Sequence, residues 1–191
     1  MNRILSVFAL LMLGASPALA HVGHGATESF MAGVAHPFGG LDHIAVMIAV
    51  GLWAALKGGR ALWLWPAAFV GVMLIGGGLG MAGVDLPLVE PAILASVVAI
   101  GLLVALAVNM PLWAGAAVVG AFALFHGHAH GTEAGLGGAE YMAGFAIATA
   151  TLHLIGIGFA LLMARNALRP AIRGAGVVCV VVGAGLIAGV I

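Results

Sequence analysis

The sequence predicts an all-α membrane protein, a compact bundle of six transmembrane helices whose N-terminus and C-terminus both lie on the outer, periplasmic side. Hydrophobic residues make up 64% of the 191 positions and charged residues only 6%, a composition that excludes an ordinary soluble domain. Long apolar stretches are separated by Pro, Gly and the few charged residues, as expected for successive membrane spans. The formal net charge of zero gives no indication of binding to nucleic acid.

The first twenty residues have the pattern of a cleaved secretory signal peptide. Arg3 supplies the positive start, residues 4–14 the apolar core and residues 18–20, Ala-Leu-Ala, the cleavage signal. We therefore expect a single transmembrane domain over residues 21–191. Cleavage after residue 20 would place His21 and His24 on the exported side, where they would either collect metal or belong to an unstructured tail.

Six apolar segments follow this signal. We predict helices at about 38–56, 61–82, 91–108, 112–130, 139–163 and 172–191, lengths suited to a bilayer. With the mature N-terminus outside, every remaining basic residue falls on the inner side, as the orientation rule for membrane helices requires. These residues are Lys57, Arg60, Arg165, Arg169 and Arg173. The pattern predicts a multi-pass protein of the bacterial inner membrane.

Small and aromatic residues indicate how the helices pack. The chain has 31 glycines, and pairs spaced by four let membrane helices approach closely. Such pairs are Gly76 with Gly80, Gly127 with Gly131, and Gly185 with Gly189. Trp63, Trp65 and Trp113 are expected to anchor the inner interface, and Phe69 to serve as packing.

The first polar segment runs His36-Pro37-Phe38-Gly39-Gly40-Leu41-Asp42-His43. A polar side chain inside a membrane costs roughly 2.5 to 3.5 kcal/mol, so its presence suggests a function. On a regular helix, His43 would share a face with His36 and lie about 10 Å deeper. Asp42 would be turned about 100° away, so it would ligate only through an irregularity at the glycines, or else orient a histidine.

The second polar segment covers residues 125–133, Phe-His-Gly-His-Ala-His-Gly-Thr-Glu. His126 and His130 are four positions apart and share a helix face, and Glu133 follows three positions later. His128 points to the opposite side, so it belongs to a different wall or faces a neighbour. In the predicted topology both segments open on the outer side of the membrane.

These side chains indicate a metal site. Imidazole and carboxylate without thiolate suit nickel, cobalt or zinc. The alternative is that the histidines bond to backbone carbonyls or polar side chains of neighbouring helices. Five histidines in two clusters, with acids on the same side of the membrane, favour metal over that alternative.

The sequence allows more than one role for two further residues. Glu90, at the outer start of the third helix, either adds a carboxylate to the metal entrance or is simply an acid favoured at a helix N-terminus. His153 lies near mid-membrane, and it is either the next metal station, a proton acceptor, or the donor of an interhelical hydrogen bond.

The two polar segments resemble the signature motifs of a known protein family. They match the HPxxGxDH and FHGxAHGxE signatures of the HupE/UreJ family without departure, and the signal peptide and six-helix pattern also agree. Members of this family are associated with hydrogenase and urease gene clusters and are regarded as secondary nickel permeases. The resemblance therefore implies nickel, where the residues alone imply a borderline divalent cation, with cobalt or zinc still open.

The predicted function is uptake of a divalent metal without ATP, because no nucleotide-binding motif is present. The metal would be the transported substrate, the bilayer the other partner, and no organic cofactor or catalytic residue is expected. Two alternatives remain: a membrane-embedded metal-dependent hydrolase using the His/Asp/Glu cluster, and an electron-transfer or sensory helper. The sequence leaves open proton coupling and whether the chain forms a homo-oligomer.

Overall fold

A computed structural model describes residues 29–134 and 138–191, and within these ranges all the regular structure is helical. The signal peptide, His21 and His24 lie outside the described residues. Seven α-helices are described: α1 Phe30–Ala35, α2 Leu41–Lys57, α3 Ala61–Met81, α4 Val89–Ala105, α5 Leu112–Glu133, α6 Gly138–Arg165 and α7 Arg169–Ile187. A 3₁₀ turn, His36–Phe38, connects α1 to α2. The all-α prediction is therefore confirmed.

Helix α2 occupies the centre of the bundle. Nearly all of its side chains between Ala45 and Ala54 are buried, because α2 contacts α3, α4, α6 and α7. The most extensive pairings elsewhere join α3 to α5 and α4 to α7. The central helix therefore carries its first-turn residues, Asp42 and His43, into the interior of one end of the bundle.

The first predicted helix, 38–56, is bent rather than continuous. The short helix α1, which the sequence analysis missed, starts at the capping hydroxyl of Ser29. Together with the 3₁₀ turn it meets α2 at an angle of 83°. The bend falls at Gly39 and Gly40, the latter in extended conformation at the N-cap of α2. The prediction that His36 stands on the same helix as His43, about 10 Å above it, is wrong for this reason.

Glycines bring α3 and α5 into backbone contact. A Cβ at Gly76 or Gly80 would collide with the backbone of α5, and one at Gly127 or Gly131 with the backbone of α3. These two pairs confirm the packing prediction. The third pair does not, since a Cβ at Gly185 would meet only the chain end at 190–191, and one at Gly189 would meet open space.

Two tryptophans form a buried pair. Trp65 is fully buried, lies with its ring centroid 4.3 Å from that of Trp53, and donates its indole N–H to the carbonyl of Leu112. The prediction that Trp65 anchors the interface is therefore wrong. Trp63 and Trp113 are exposed, as interfacial anchors are.

The helices are long and apolar enough for a membrane protein. Four of them, α3, α5, α6 and α7, meet the length and composition of a membrane span, and a fifth span results if the bent segment Phe30–Phe38 plus α2 counts as one. Helix α4 is apolar but has only 17 residues. Acidic and basic residues lie at opposite ends of the bundle. Asp42 and Glu140 lie in the first turns of α2 and α6, and Lys57 and Arg165 lie in their last turns.

Candidate metal centre

Three imidazoles meet at the acidic end of the bundle. His36 comes from the 3₁₀ turn, His43 from the first turn of α2 and His130 from the last turn of α5. One ring nitrogen from each lies within 4.8 Å of the other two. The bend at Gly39 and Gly40 makes this possible, because it turns His36 back toward His43 instead of extending the helix. This three-histidine group is the one set of potential metal ligands found among the described residues.

A carboxylate stands behind two of these imidazoles. Asp42 Oδ1 lies 2.8 Å from Nδ1 of His43, and Glu133 Oε2 lies 3.5 Å from Nδ1 of His130. A carboxylate next to one ring nitrogen favours the proton there and leaves the other nitrogen free to bind a metal. Glu133 is exposed and Asp42 partly buried, so Glu133 is the more open to solvent of the two.

The other two ring nitrogens, the Nε2 atoms, face each other. Nε2 of His43 and Nε2 of His130 are 2.5 Å apart in a buried environment. At this distance the Nε2–H of one ring donates to the Nε2 of the other, and a cation that took the place of the shared proton could be bound by both nitrogens. Imidazole nitrogens therefore converge at the centre of the group, as expected of a cation site.

Aromatic side chains of α6, which are not among the site residues predicted from the sequence, enclose the group. The ring centroid of Phe145 lies 4.4 Å from that of His130, and Tyr141 stacks on Phe145 and faces His36. The Tyr141 hydroxyl is buried without a hydrogen-bond partner. No motif marks these residues in the sequence, since an aromatic residue in a membrane helix is ordinary filler.

His126 lies next to the group and is oriented by Ser96 of α4. The Ser96 hydroxyl donates to the carbonyl of Ile93 at 2.5 Å, so its oxygen accepts the Nε2 proton of His126, 3.0 Å away. Nδ1 of His126 thus carries the lone pair, and it is buried without a partner. Its ring centroid is 5.4 Å from that of His43. Ser96 was also missed by the sequence analysis, although a serine inside an apolar helix is a usable signal.

His153 lies deeper in the bundle. Its Nδ1–H donates to the carbonyl of Met47 at 2.7 Å, which leaves Nε2 as a fully buried nitrogen without a partner. The ring of Phe69 stands between the two inner histidines, with its centroid 5.0 Å from His153 and 5.8 Å from His126. The structure thus shows the interhelical hydrogen bond that the sequence analysis considered, together with one free nitrogen.

Besides His153, two predicted site residues lie apart from the three-histidine group. His128 points toward the segment that follows α3 and donates Nε2–H to the carbonyl of Val84 at 2.6 Å. Glu90 lies exposed in the first turn of α4. The structure therefore brings together His36, His43 and His130, with Asp42, Glu133 and His126 beside them.

A bundle of apolar helices with converging imidazoles at one end defines a membrane protein with a candidate site for a transition metal. The family model described as HupE / UreJ protein matches residues 9–186. Protein HupE of Rhizobium leguminosarum bv. viciae is 47% identical over 190 residues, which cover 98% of each chain. The chain therefore belongs to the HupE/UreJ family, as its two signatures predict. No solved structure matches it significantly.

Proposed function

We propose that this protein is a secondary permease that imports a divalent transition metal, with nickel as the preferred ion, across the bacterial inner membrane. The observation that carries the proposal is the convergence of three imidazole nitrogens within 4.8 Å at the acidic end of an apolar bundle. Such a set suits a borderline divalent ion. Cobalt and zinc are also chemically suitable for such ligands. Membership of the family favours nickel, which would be supplied to a hydrogenase or urease.

In the proposed topology the chain crosses the membrane six times, with both termini outside. The six spans are the bent first segment, α3, α4, α5, α6 and α7. The 17 residues of α4 extend about 26 Å at the usual helical rise, close to the thickness of the hydrocarbon core. The basic residues then face the cytoplasm and the three-histidine group faces the periplasm.

The outer group would capture the ion by replacing part of its hydration shell. His36, His43 and His130 supply nitrogen ligands, while Asp42 and Glu133 orient two of the rings and balance part of the positive charge. Because a transported ion must also leave, a site of three neutral ligands suits transport better than a closed structural site does.

From this group a line of imidazoles leads inward. His126 is the next ring after His43, and His153 lies beyond Phe69. Both histidines have one buried nitrogen that no protein group occupies. We assign them to the inner part of the pathway, where a free nitrogen near mid-membrane would lower the cost of a charge in transit. A divalent ion moving toward a negative interior gains about 4.6 kcal/mol per 100 mV, so no nucleotide is needed.

Uptake of radioactive nickel by cells carrying the full chain tests the proposal. Single alanine variants of His36, His43 and His130 should lose uptake, while the exposed Asp85→Ala should retain it. Purified protein in nickel-free liposomes then separates transport from binding, because a permease raises the internal nickel concentration. Normal uptake by all three histidine variants, or binding without any transfer into liposomes, would refute the proposal.

A further inference from the structure

The end of the bundle opposite the three-histidine group contains a basic pocket. Its cavity volume is about 320 Å³. The polar residues in its lining are Lys57, Asn109, Arg169 and Arg173, and the lining includes no acidic residue. Three cations therefore surround one cavity at the junction of α2, α4 and α7.

The positive charge of this pocket is not balanced by the described protein. Within residues 29–134 and 138–191, the ion pairs join histidine to carboxylate and none involves a lysine or arginine. Lys57 Nζ donates to the neutral amide oxygen of Asn109 at 2.6 Å. The N-terminus of α7, which begins at Arg169, adds the positive end of a helix dipole. Charges of one sign gathered around a cavity repel each other, and a bound anion would relieve that repulsion.

One of the cations is held in position for an anion. Arg173 donates Nε–H to the carbonyl of Ala105, at the end of α4, at 2.7 Å. This bond fixes the plane of the guanidinium, and its two terminal nitrogens have no described protein partner. Arg169 likewise has no described hydrogen bond or ion pair. A guanidinium with free terminal nitrogens matches the oxygens of a phosphate group.

We propose that this pocket binds a phosphate group, and that in the membrane the group belongs to an anionic phospholipid. The pocket lies where α2 and α4 end and α7 begins. In a spanning bundle this is the level of the lipid headgroups, and basic pockets between membrane helices at that level bind such headgroups. The three cationic side chains of this pocket would repel a metal cation, so we do not include the pocket in the metal pathway. The inference rests on the proposed membrane topology but not on nickel transport.

Binding of phosphatidylglycerol to the purified full chain tests this proposal. The protein is placed in phosphatidylcholine nanodiscs with increasing phosphatidylglycerol, and lipid retention is followed by native mass spectrometry together with the melting temperature. The pocket variant Arg169→Gln/Arg173→Gln is compared with Arg60→Gln/Arg165→Gln, which removes the same charge from the same end but leaves the pocket lining intact. Each cation near an anionic lipid contributes about fivefold, so the pocket variant should bind about thirtyfold more weakly.

Arg173 also donates a hydrogen bond to the end of α4, so its replacement could disturb folding. A second variant controls for this effect. Lys57→Gln/Arg169→Gln leaves that hydrogen bond in place and should show the same loss of binding. Inorganic phosphate added to pure phosphatidylcholine nanodiscs separates the two sources of the anion. If inorganic phosphate raises the melting temperature and phosphatidylglycerol does not, the ligand is a soluble phosphate and the assignment to a lipid is overturned. Equal losses in the pocket and control variants, or no response of the unmodified protein to either anion, would overturn the proposal.

The lipid measurement needs no nickel, so its result is independent of the transport test. Metal transport without any binding of phosphatidylglycerol would contradict only the proposed lipid site. Binding of the lipid without any metal transport would contradict only the proposed function.

Discussion

The Nε2 atoms of His43 and His130 lie 2.5 Å apart, although 87 positions separate the two residues in the sequence. A carboxylate lies beside the other ring nitrogen of each residue. Two signatures that look like separate helices in the sequence thus become one group of ligands. This pairing makes His130 a stronger candidate than its neighbour His128, and the following predictions begin from that difference.

Replacing His130 with Gln should abolish metal capture, whereas replacing His128 with Gln should not. A Gln amide nitrogen can still donate to the carbonyl of Val84, which is the one contact described for the His128 side chain, but an amide nitrogen is a poor metal ligand. We expect nickel uptake at limiting concentration to fall at least tenfold in His130→Gln and to stay within about twofold in His128→Gln. Comparable losses in both would show that the pairing with His43 is not decisive.

Asp42→Asn should weaken nickel binding about 10- to 100-fold, the usual effect of removing a carboxylate that orients a metal-binding histidine. Asp42 Oδ1 lies 2.8 Å from Nδ1 of His43, and a neutral amide there no longer favours the proton on that nitrogen. Isothermal titration of the purified protein with nickel measures the change. The exposed Asp85→Asn is the control with the same charge change, and a similar loss in that variant would contradict the orienting role.

His153→Asn should reduce transport while leaving capture intact. The Asn amide can replace Nδ1–H as donor to the carbonyl of Met47, but it removes the free Nε2. We expect uptake to fall about tenfold, because the mid-membrane station is lost, while the nickel affinity of the outer group changes less than twofold. Unchanged uptake would assign His153 to interhelical hydrogen bonding alone.

Gly127→Ala should destabilise the bundle by about 1 to 3 kcal/mol, the cost of overpacking a well-filled interface. The added Cβ would collide with the backbone of Met73 and Gly77 on α3, and a helix backbone cannot move aside as a side chain can. Gly78→Ala, on the same pair of helices, meets open space and should be nearly neutral. Thermal unfolding in detergent measures both. Equal melting temperatures would mean that the close approach of α3 and α5 is not needed for stability.

Much of the architecture could be predicted from the sequence because membrane helices follow directly from composition. Apolar length located the later helices to within a few residues, and the spacing of His126, His130 and Glu133 correctly placed them on one side of α5. The bend before α2 could not be predicted in the same way, since glycines permit an irregularity without specifying its angle. Nor could the burial of Trp65, because interface anchors and core tryptophans look alike in a sequence.

Residue types alone predict an apolar helical protein with its acids and most of its histidines near one end, because each type has its own cost of placement in lipid. The histidines that meet could be identified from the three-dimensional arrangement of the helices and not from their spacing. His36 joins His43 and His130 through an 83° bend, while His128, on the opposite face of the same helix, turns to a backbone carbonyl of another segment. Spacing constrains only residues on one helix, whereas ligands from different helices converge only through the way those helices pack.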